Sequence, residues 1–419
     1  MMTMTMPVTE RRGGRFSSIG GALLVATPAA VSVVNITLGS YVLAVLIVVM
    51  GAYRLRTRTM IASIEWLILL GVAVILVSPY WGLAAVGHGV DVVSPTLGAA
   101  LSVAYVLPVR WFIGASRRRF ITYVLVLLAV GVALAAFVYF NGVETQVADL
   151  TTRRFVEFAN ANFIAAVLAT CASFALFLAF WLEISLGFRV GFFLLALAVS
   201  FVVYQTGSRA SLFGVVAAAL GMIFLRWASR FYRGLVLFIM VVSLIIGLFP
   251  ELFTRLLGIG AGALSTSSTL SRSNANLLDA SGRLELWRGA IEAFEQSPIF
   301  GWGPGVYGTL FEPEGLPSHS WTPEILASVG ILGIAIFMPI IFKSYTAEAP
   351  IFRKPRNKQF AKQSMLWNAT TAIAVLPSLV LSTHQWNMWA WCVIALWTCS
   401  PLLDSPHEFV EKNPRGDAC

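Results

Sequence analysis

Long apolar stretches alternate with short clusters of charge along the chain. Each stretch runs about 17–23 residues without the period-two alternation of a barrel strand, which predicts membrane-spanning helices. A bilayer core satisfies no backbone hydrogen bond, so a continuous apolar run is stable there only as a helix. About twelve spans are expected, at 19–34, 36–53, 60–78, 94–113, 120–140, 161–182, 188–206, 209–225, 234–250, 321–342, 364–382 and 386–402. No fixed-period repeat is visible. The longest polar interval is 251–320. Its first part, "GIGAGALSTSSTLSRSNANLL", reads as a linker. Its second, "SGRLELWRGAIEAFEQSP", predicts a helix with Leu284, Trp287, Ile291 and Phe294 on one face, Arg288 and Glu292 as an i,i+4 pair, and Pro298 at its end. Such a helix beside a bilayer is expected to lie flat on it, with Trp287 at headgroup level. Glycines 301, 303 and 305 then permit a tight backbone path, and the chain returns to the membrane just after His319.

Composition agrees with this pattern. The 419 residues are 58% hydrophobic and 12% charged, against about a quarter charged in soluble domains. The fold class is therefore an all-α polytopic membrane protein. The basic start and first apolar run resemble a signal peptide, but no clear small-residue cleavage site follows, so the run reads as a retained helix. Cys171, Cys392 and Cys399 fall inside spans and Cys419 is the last residue, which indicates neither a disulfide framework nor a CxxC metal site.

The net charge of +9 is dispersed among loops, which points to membrane orientation rather than nucleic acid. With the N-terminus cytoplasmic, "RLRTR", "SRRR", "RWASRFYR" and "FRKPRNKQFAK" are cytoplasmic too, and 22 of the 29 basic residues lie inside. The opposite orientation reverses that ratio. The expected organisation is a cytoplasmic tail (1–18), nine spans (19–250), a large extracytoplasmic loop (251–320), three spans (321–402) and a cytoplasmic tail (403–419). Seven basic residues stay outside: Arg153, Arg154, Arg209, Arg255, Arg272, Arg283 and Arg288. His88, His319 and His384 map there as well. Membrane-proximal Arg and His on a face otherwise poor in basic residues suit an anionic ligand delivered in the outer leaflet.

Arg209 carries the sharpest question. One helix over 190–225 would be about 54 Å long, too long for one span, so the chain is expected to turn near "TGSR". Arg209 either snorkels to headgroups or binds a phosphate with its planar fork. His319 is either an interfacial histidine or a general base. Arg283 and Arg288 also fit the wet side of a surface helix, and Arg153 and Arg154 ordinary loop charge. No D-x-D occurs, and Glu312 and Glu314 in "FEPEG" read as a solvated loop, so no metal is expected. "GWGPG" is too common a pattern to mark a nucleotide.

Four segments resemble the O-antigen ligase and polymerase superfamily. "GSRAS" is similar to its S-R-x-S at the start of a central span. "GRLELWRGAIEAFEQSPIFGWGPGVY" is similar to its G-R…W…A…F…P-x-x-G-x-G-P-G-x-[YF] segment. "SHSWTPEILASVGILGI" is similar to its histidine-led return into the membrane, and "FANANFIAAVLA" to its N-x-x-A-x-x-L segment. Ser320 stands where the family often has Asn, and Ser328 where it often has Glu, with Glu324 nearby.

The resemblance implies a GT-C-like, inverting, metal-independent glycosyltransferase of the bacterial plasma (inner) membrane, without cofactor. Its donor would be an undecaprenyl-diphosphate-linked glycan and its acceptor a glycan or lipid-linked glycan, with membrane lipids and no nucleic acid as further partners. It places the donor diphosphate on Arg209, Arg283 and Arg288, makes His319 catalytic, and gives support to Ser208, Ser211, Arg154, Asn162 and Glu324. A transporter or flippase for an anionic glycan precursor is the competing class. Such proteins place their site near mid-membrane, whereas these residues gather at one face beneath a long loop.

Overall fold

A computed structural model describes residues 18–57, 63–86, 93–114, 116–147, 151–155, 161–181, 184–225, 283–304, 306, 321–346, 361–381 and 388–404. Helices dominate: α1 (Ser18–Val34), α2 (Ile36–Thr57), α3 (Ser63–Val86), α4 (Val93–Ala104), α5 (Val106–Ile113), α6 (Arg117–Asn141), α7 (Ala161–Trp181), α8 (Leu186–Gln205), α9 (Arg209–Leu225), α10 (Arg283–Gln296), α11 (Trp321–Thr346), α12 (Ala361–Leu381) and α13 (Met388–Cys399). Among the described residues seven helical runs are long and apolar enough to cross a membrane, in α2, α3, the joined α4–α5, α6, α7, α8 and α11. Shorter apolar stretches lie in α1, α9, α12 and α13. The expected span 234–250 lies outside the described residues.

The all-helical expectation takes one correction. The connection after α6 forms an antiparallel hairpin, β1 (Val143–Val147) with β2 (Thr151–Phe155). Valines and threonines suit strands, and each strand supplies the other's backbone partners.

α7 lies at the centre, with α6, α8, α9 and α12 packed on it. Near its C-terminal end Trp367 of α12 stacks on Phe174 at 5.0 Å between centroids and meets the edges of Phe120 and Phe177 at 5.3 and 4.9 Å. α8 instead exposes Phe188, Leu194, Leu197, Phe201 and Tyr204, the face expected of a helix against lipid. Buried polar groups are joined to one another. Tyr105 donates to the Val25 carbonyl at 2.6 Å and lies 2.8 Å from the Tyr123 hydroxyl, which lies 3.3 Å from Cys392 Sγ. A carbonyl only accepts, so the proton order is forced: Cys392 donates to Tyr123, Tyr123 to Tyr105, and Tyr105 to Val25.

One end of the bundle gathers arginines. Arg54, near the end of α2, pairs with Glu65 at the start of α3 at 2.7 Å and lies 5.3 Å over the Trp111 ring. Arg110 donates to the Thr398 carbonyl at 3.4 Å, and Arg117 to Gln363 at 3.3 Å. The opposite end holds the hairpin and the α8–α9 turn.

α9 and α12 approach closely through Gly214. A Cβ there would sit 2.5 Å from the Ala374 carbonyl oxygen, and backbone cannot rotate away. Gly214→Leu is expected to destabilise by about 1–3 kcal/mol, seen as a lower Tm of the full chain in detergent.

Candidate active site

The site begins at the α8–α9 turn. Thr206, Gly207 and Ser208 reverse the chain, and Gly207 adopts φ +68°, a conformation glycine takes without strain. Ser208 stands immediately before α9, at the N-cap position. Its hydroxyl donates to that of Ser211, 3.1 Å away, and both serines are buried. The Thr206 hydroxyl donates to the Val203 carbonyl at 2.6 Å and accepts from the Ser208 N–H at 3.4 Å. A turn this closed holds the next residue, Arg209, as the first of α9.

That position is electrostatically notable. The N-terminus of a helix carries about half a positive charge, and a cation there costs about 0.3–1 kcal/mol. An anion reverses the sign, because free N–H groups, dipole and guanidinium then act together. The expected turn near "TGSR" is thus present, and it makes Arg209 the first residue of α9. Arg283 is likewise the first residue of its helix, α10. Arg288, further along α10, is exposed.

The apolar face of α10 is covered by protein rather than open to a membrane surface. It packs on α11 through Trp287, Ala290 and Ala293, all at most 2% exposed. Trp287 is therefore inside the protein rather than at headgroup level. The apolar periodicity was legible, but not what covers it.

After α10 the stretch Ser297–Gly303 meets α11 at a break. Gly330 has φ +61° and ψ −162° within α11. In an unbroken helix Ile331 N–H would donate to Ala327 and Leu332 N–H to Ser328. Those two bonds are opened and replaced by four. Ile331 N–H donates to Pro298 at 2.9 Å and Leu332 N–H to Ile299 at 3.1 Å; Ala327 accepts from Trp302 N–H and Ser328 from Gly303 N–H, both at 2.8 Å. All four backbone groups of the two opened bonds are partnered, which is the condition for irregular backbone at membrane depth. Trp302 Nε1 donates to the Ala293 carbonyl at 2.6 Å and Ser297 Oγ to the Gly301 carbonyl at 2.8 Å, tying the stretch to α10 and to itself. Gly301 and Gly303 have φ +68° and +98°, as the tight path predicted from "GWG" requires.

Of the supporting residues, Ser208 and Ser211 are brought together. Asn162 is half-buried in the first turn of α7, and Glu324 is buried in the first turn of α11. Arg154 lies on β2, which touches α6, α7 and α8, and is paired in register with Glu144. α9 is supported by α7 and α12, α10 by α11, and α11 touches α12. His319 lies outside the described residues.

The helices define a multi-pass membrane protein in which one helix starts at Arg209 and another is broken at Gly330 and stitched by a neighbouring stretch. Residues 194–338 match a family model described as O-Antigen ligase. Over that segment, about a third of the chain, the protein is similar to the O-antigen ligase family. No curated protein matches the chain.

Proposed function

We propose that the protein is an inverting glycosyltransferase of the bacterial plasma membrane, acting on its outer face. It would transfer or polymerise a glycan from an undecaprenyl-diphosphate-linked donor onto an acceptor hydroxyl. The observation that carries this is Arg209 as first residue of α9, inside the matched segment.

In this reading the donor diphosphate docks on Arg209 and the free N–H groups of α9, with Arg283 and Arg288 adding charge. The acceptor oxygen attacks the anomeric carbon from the face opposite the diphosphate. The new C–O bond forms as the old one breaks, its electron pair leaves with the diphosphate, and the hydroxyl proton passes to His319. Charge growing on the leaving oxygen meets arginine and helix dipole already in place. The loop 251–320 would exclude water, which otherwise hydrolyses the donor. The basic end of the bundle would face the cytoplasm, with both termini there.

Purified protein incubated with lipid-diphosphate glycan and acceptor, without any ion gradient, is expected to make a new glycosidic bond. Movement of donor without bond formation would instead mean a transporter, a reading that the matched family does not favour. Arg209→Lys keeps the charge and loses the two-pronged fork. It is expected to lower kcat/KM about 10- to 100-fold, and full activity would reduce Arg209 to a headgroup anchor.

A further inference from the structure

The arginine-bearing end of the bundle has no part in this mechanism, since the proposed donor site lies at the other end. Its charges converge on the short helix α5. Arg54 of α2 lies 5.3 Å over the Trp111 ring, and Trp111 Nε1 donates to Glu65 at 3.1 Å. The next residue, Phe112, offers its carbonyl to Arg119 of α6 at 3.3 Å. Arg110 reaches the Thr398 carbonyl and Arg117 the Gln363 side chain. Carbonyls and amides orient a guanidinium without cancelling its charge. With Arg56 and Arg118, six arginines share this end with two carboxylates among the described residues, Glu65 and, six residues after Thr398, Asp404. Among the described residues Arg56, Arg110, Arg118 and Arg119 have no carboxylate within 4.0 Å.

Arg118 and Arg119 are exposed in the first turn of α6, which holds no acidic residue. The dipole at a helix start opposes cations. The inward bias of basic residues explains which side these arginines lie on. It explains neither three of them in one helix start nor their convergence on α5. Apolar and aromatic surface adjoins the charge. Tyr53 and Trp66, next to Arg54 and Glu65, are exposed, as aromatic side chains at headgroup depth are. α1 packs on α6, and its start is fixed at this level by Gly21 against the Phe112 ring. Ile19 and Leu23 beside that contact are exposed.

We propose that this end binds the headgroup of an anionic phospholipid, with Arg118 and Arg119 as its accessible contacts. Their planar forks match phosphate oxygens, and the other arginines around α5 add to the field. The Ser116 hydroxyl caps the Arg119 N–H at 3.3 Å, and the lipid phosphate supplies the negative charge that this first turn lacks. The acyl chains lie along Ile19 and Leu23. That apolar surface beside the charge suits a lipid rather than a free phosphate. The site is separate from glycan transfer and does not rest on the transferase reading.

The full chain in nanodiscs of phosphatidylglycerol or phosphatidylcholine tests this. Phosphatidylglycerol is expected to raise Tm by about 3–6 °C over phosphatidylcholine. Native mass spectrometry is expected to show phosphatidylglycerol retained on the wild-type chain. Each arginine near an anionic surface contributes about fivefold, so Arg118→Gln with Arg119→Gln should weaken retention about 25-fold. Arg118→Gln alone, expected to cost about fivefold, serves where the double variant does not fold. Arg189→Gln is the control, removing an exposed arginine from the first turn of α8; its retention should stay within about twofold of wild type. Equal Tm and equal retention for the two lipids overturn the site. An equal loss in Arg189→Gln means a diffuse surface field and overturns it too. Inorganic phosphate that reproduces the Tm gain in phosphatidylcholine means a soluble anion, and overturns the lipid assignment.

Discussion

Replacing His319 with alanine is expected to abolish glycan transfer while leaving membrane insertion and Tm unchanged. Proton removal by a positioned base contributes about 10²–10⁴-fold, so residual transfer should fall at least about 100-fold. A sugar hydroxyl is a poor nucleophile until its proton is taken, and a neutral imidazole takes it near neutral pH. The donor side needs less help, because a diphosphate leaves readily once its charge is neutralised. Donor binding by the His319→Ala chain should therefore match wild type. Deleting the gene's function in cells and measuring surface-glycan length reads the same reaction: loss of long chains with single repeats accumulating means polymerase, and long chains stranded on their lipid means ligase. Near-wild-type glycan in cells carrying only His319→Ala would remove the histidine from the mechanism.

Gly330→Val should be the most destabilising single substitution among those considered. Its φ of +61° with ψ of −162° lies in a region essentially reserved for glycine, at a cost of about 1–3 kcal/mol for other residues. A Cβ would also collide with the Ile299 carbonyl oxygen, which is backbone and has no rotamer to change. Relief requires Pro298–Gly303 to withdraw, which forfeits four hydrogen bonds. A loss of more than about 3 kcal/mol is expected, read as a fall in Tm and as faster amide exchange at Ile331 and Leu332. Gly98→Ala is the control: a Cβ there meets nothing within 4 Å, and Tm should hold or rise.

Seven of the expected spans were legible because length and apolarity alone define them; four more coincide with shorter apolar helices, 234–250 lies outside the described residues, and the expected count of twelve is not established. The α8–α9 turn was legible for a related reason: no single helix across Arg209 fits a bilayer. The break in α11 was not. "SVGILGI" is apolar throughout, and hydropathy does not register that two of its N–H groups are bonded outside the helix. Trp287 misled in the same way, since periodicity reveals an apolar face but not its partner, which is α11 rather than lipid. The hairpin was missed because "VETQV" and "TTRRF" are short and polar, and each becomes a strand only beside the other. The donor side of the site therefore rests on local features, a turn and a helix start, that sequence displays. The break in α11 rests on contacts with a stretch some thirty residues earlier in the chain, which sequence does not display.

The junction between Pro298–Gly303 and α11 also closes a loop. Loop-closure entropy grows only as the logarithm of length, so doubling such a loop costs about 0.6 kcal/mol. The enclosed stretch, 305–320, carries His319, which the proposed mechanism makes the base. Lengthening that stretch is expected to strain the clasp at its base little. On the function proposed above, acceptor preference would change through that loop while the membrane core stays the same.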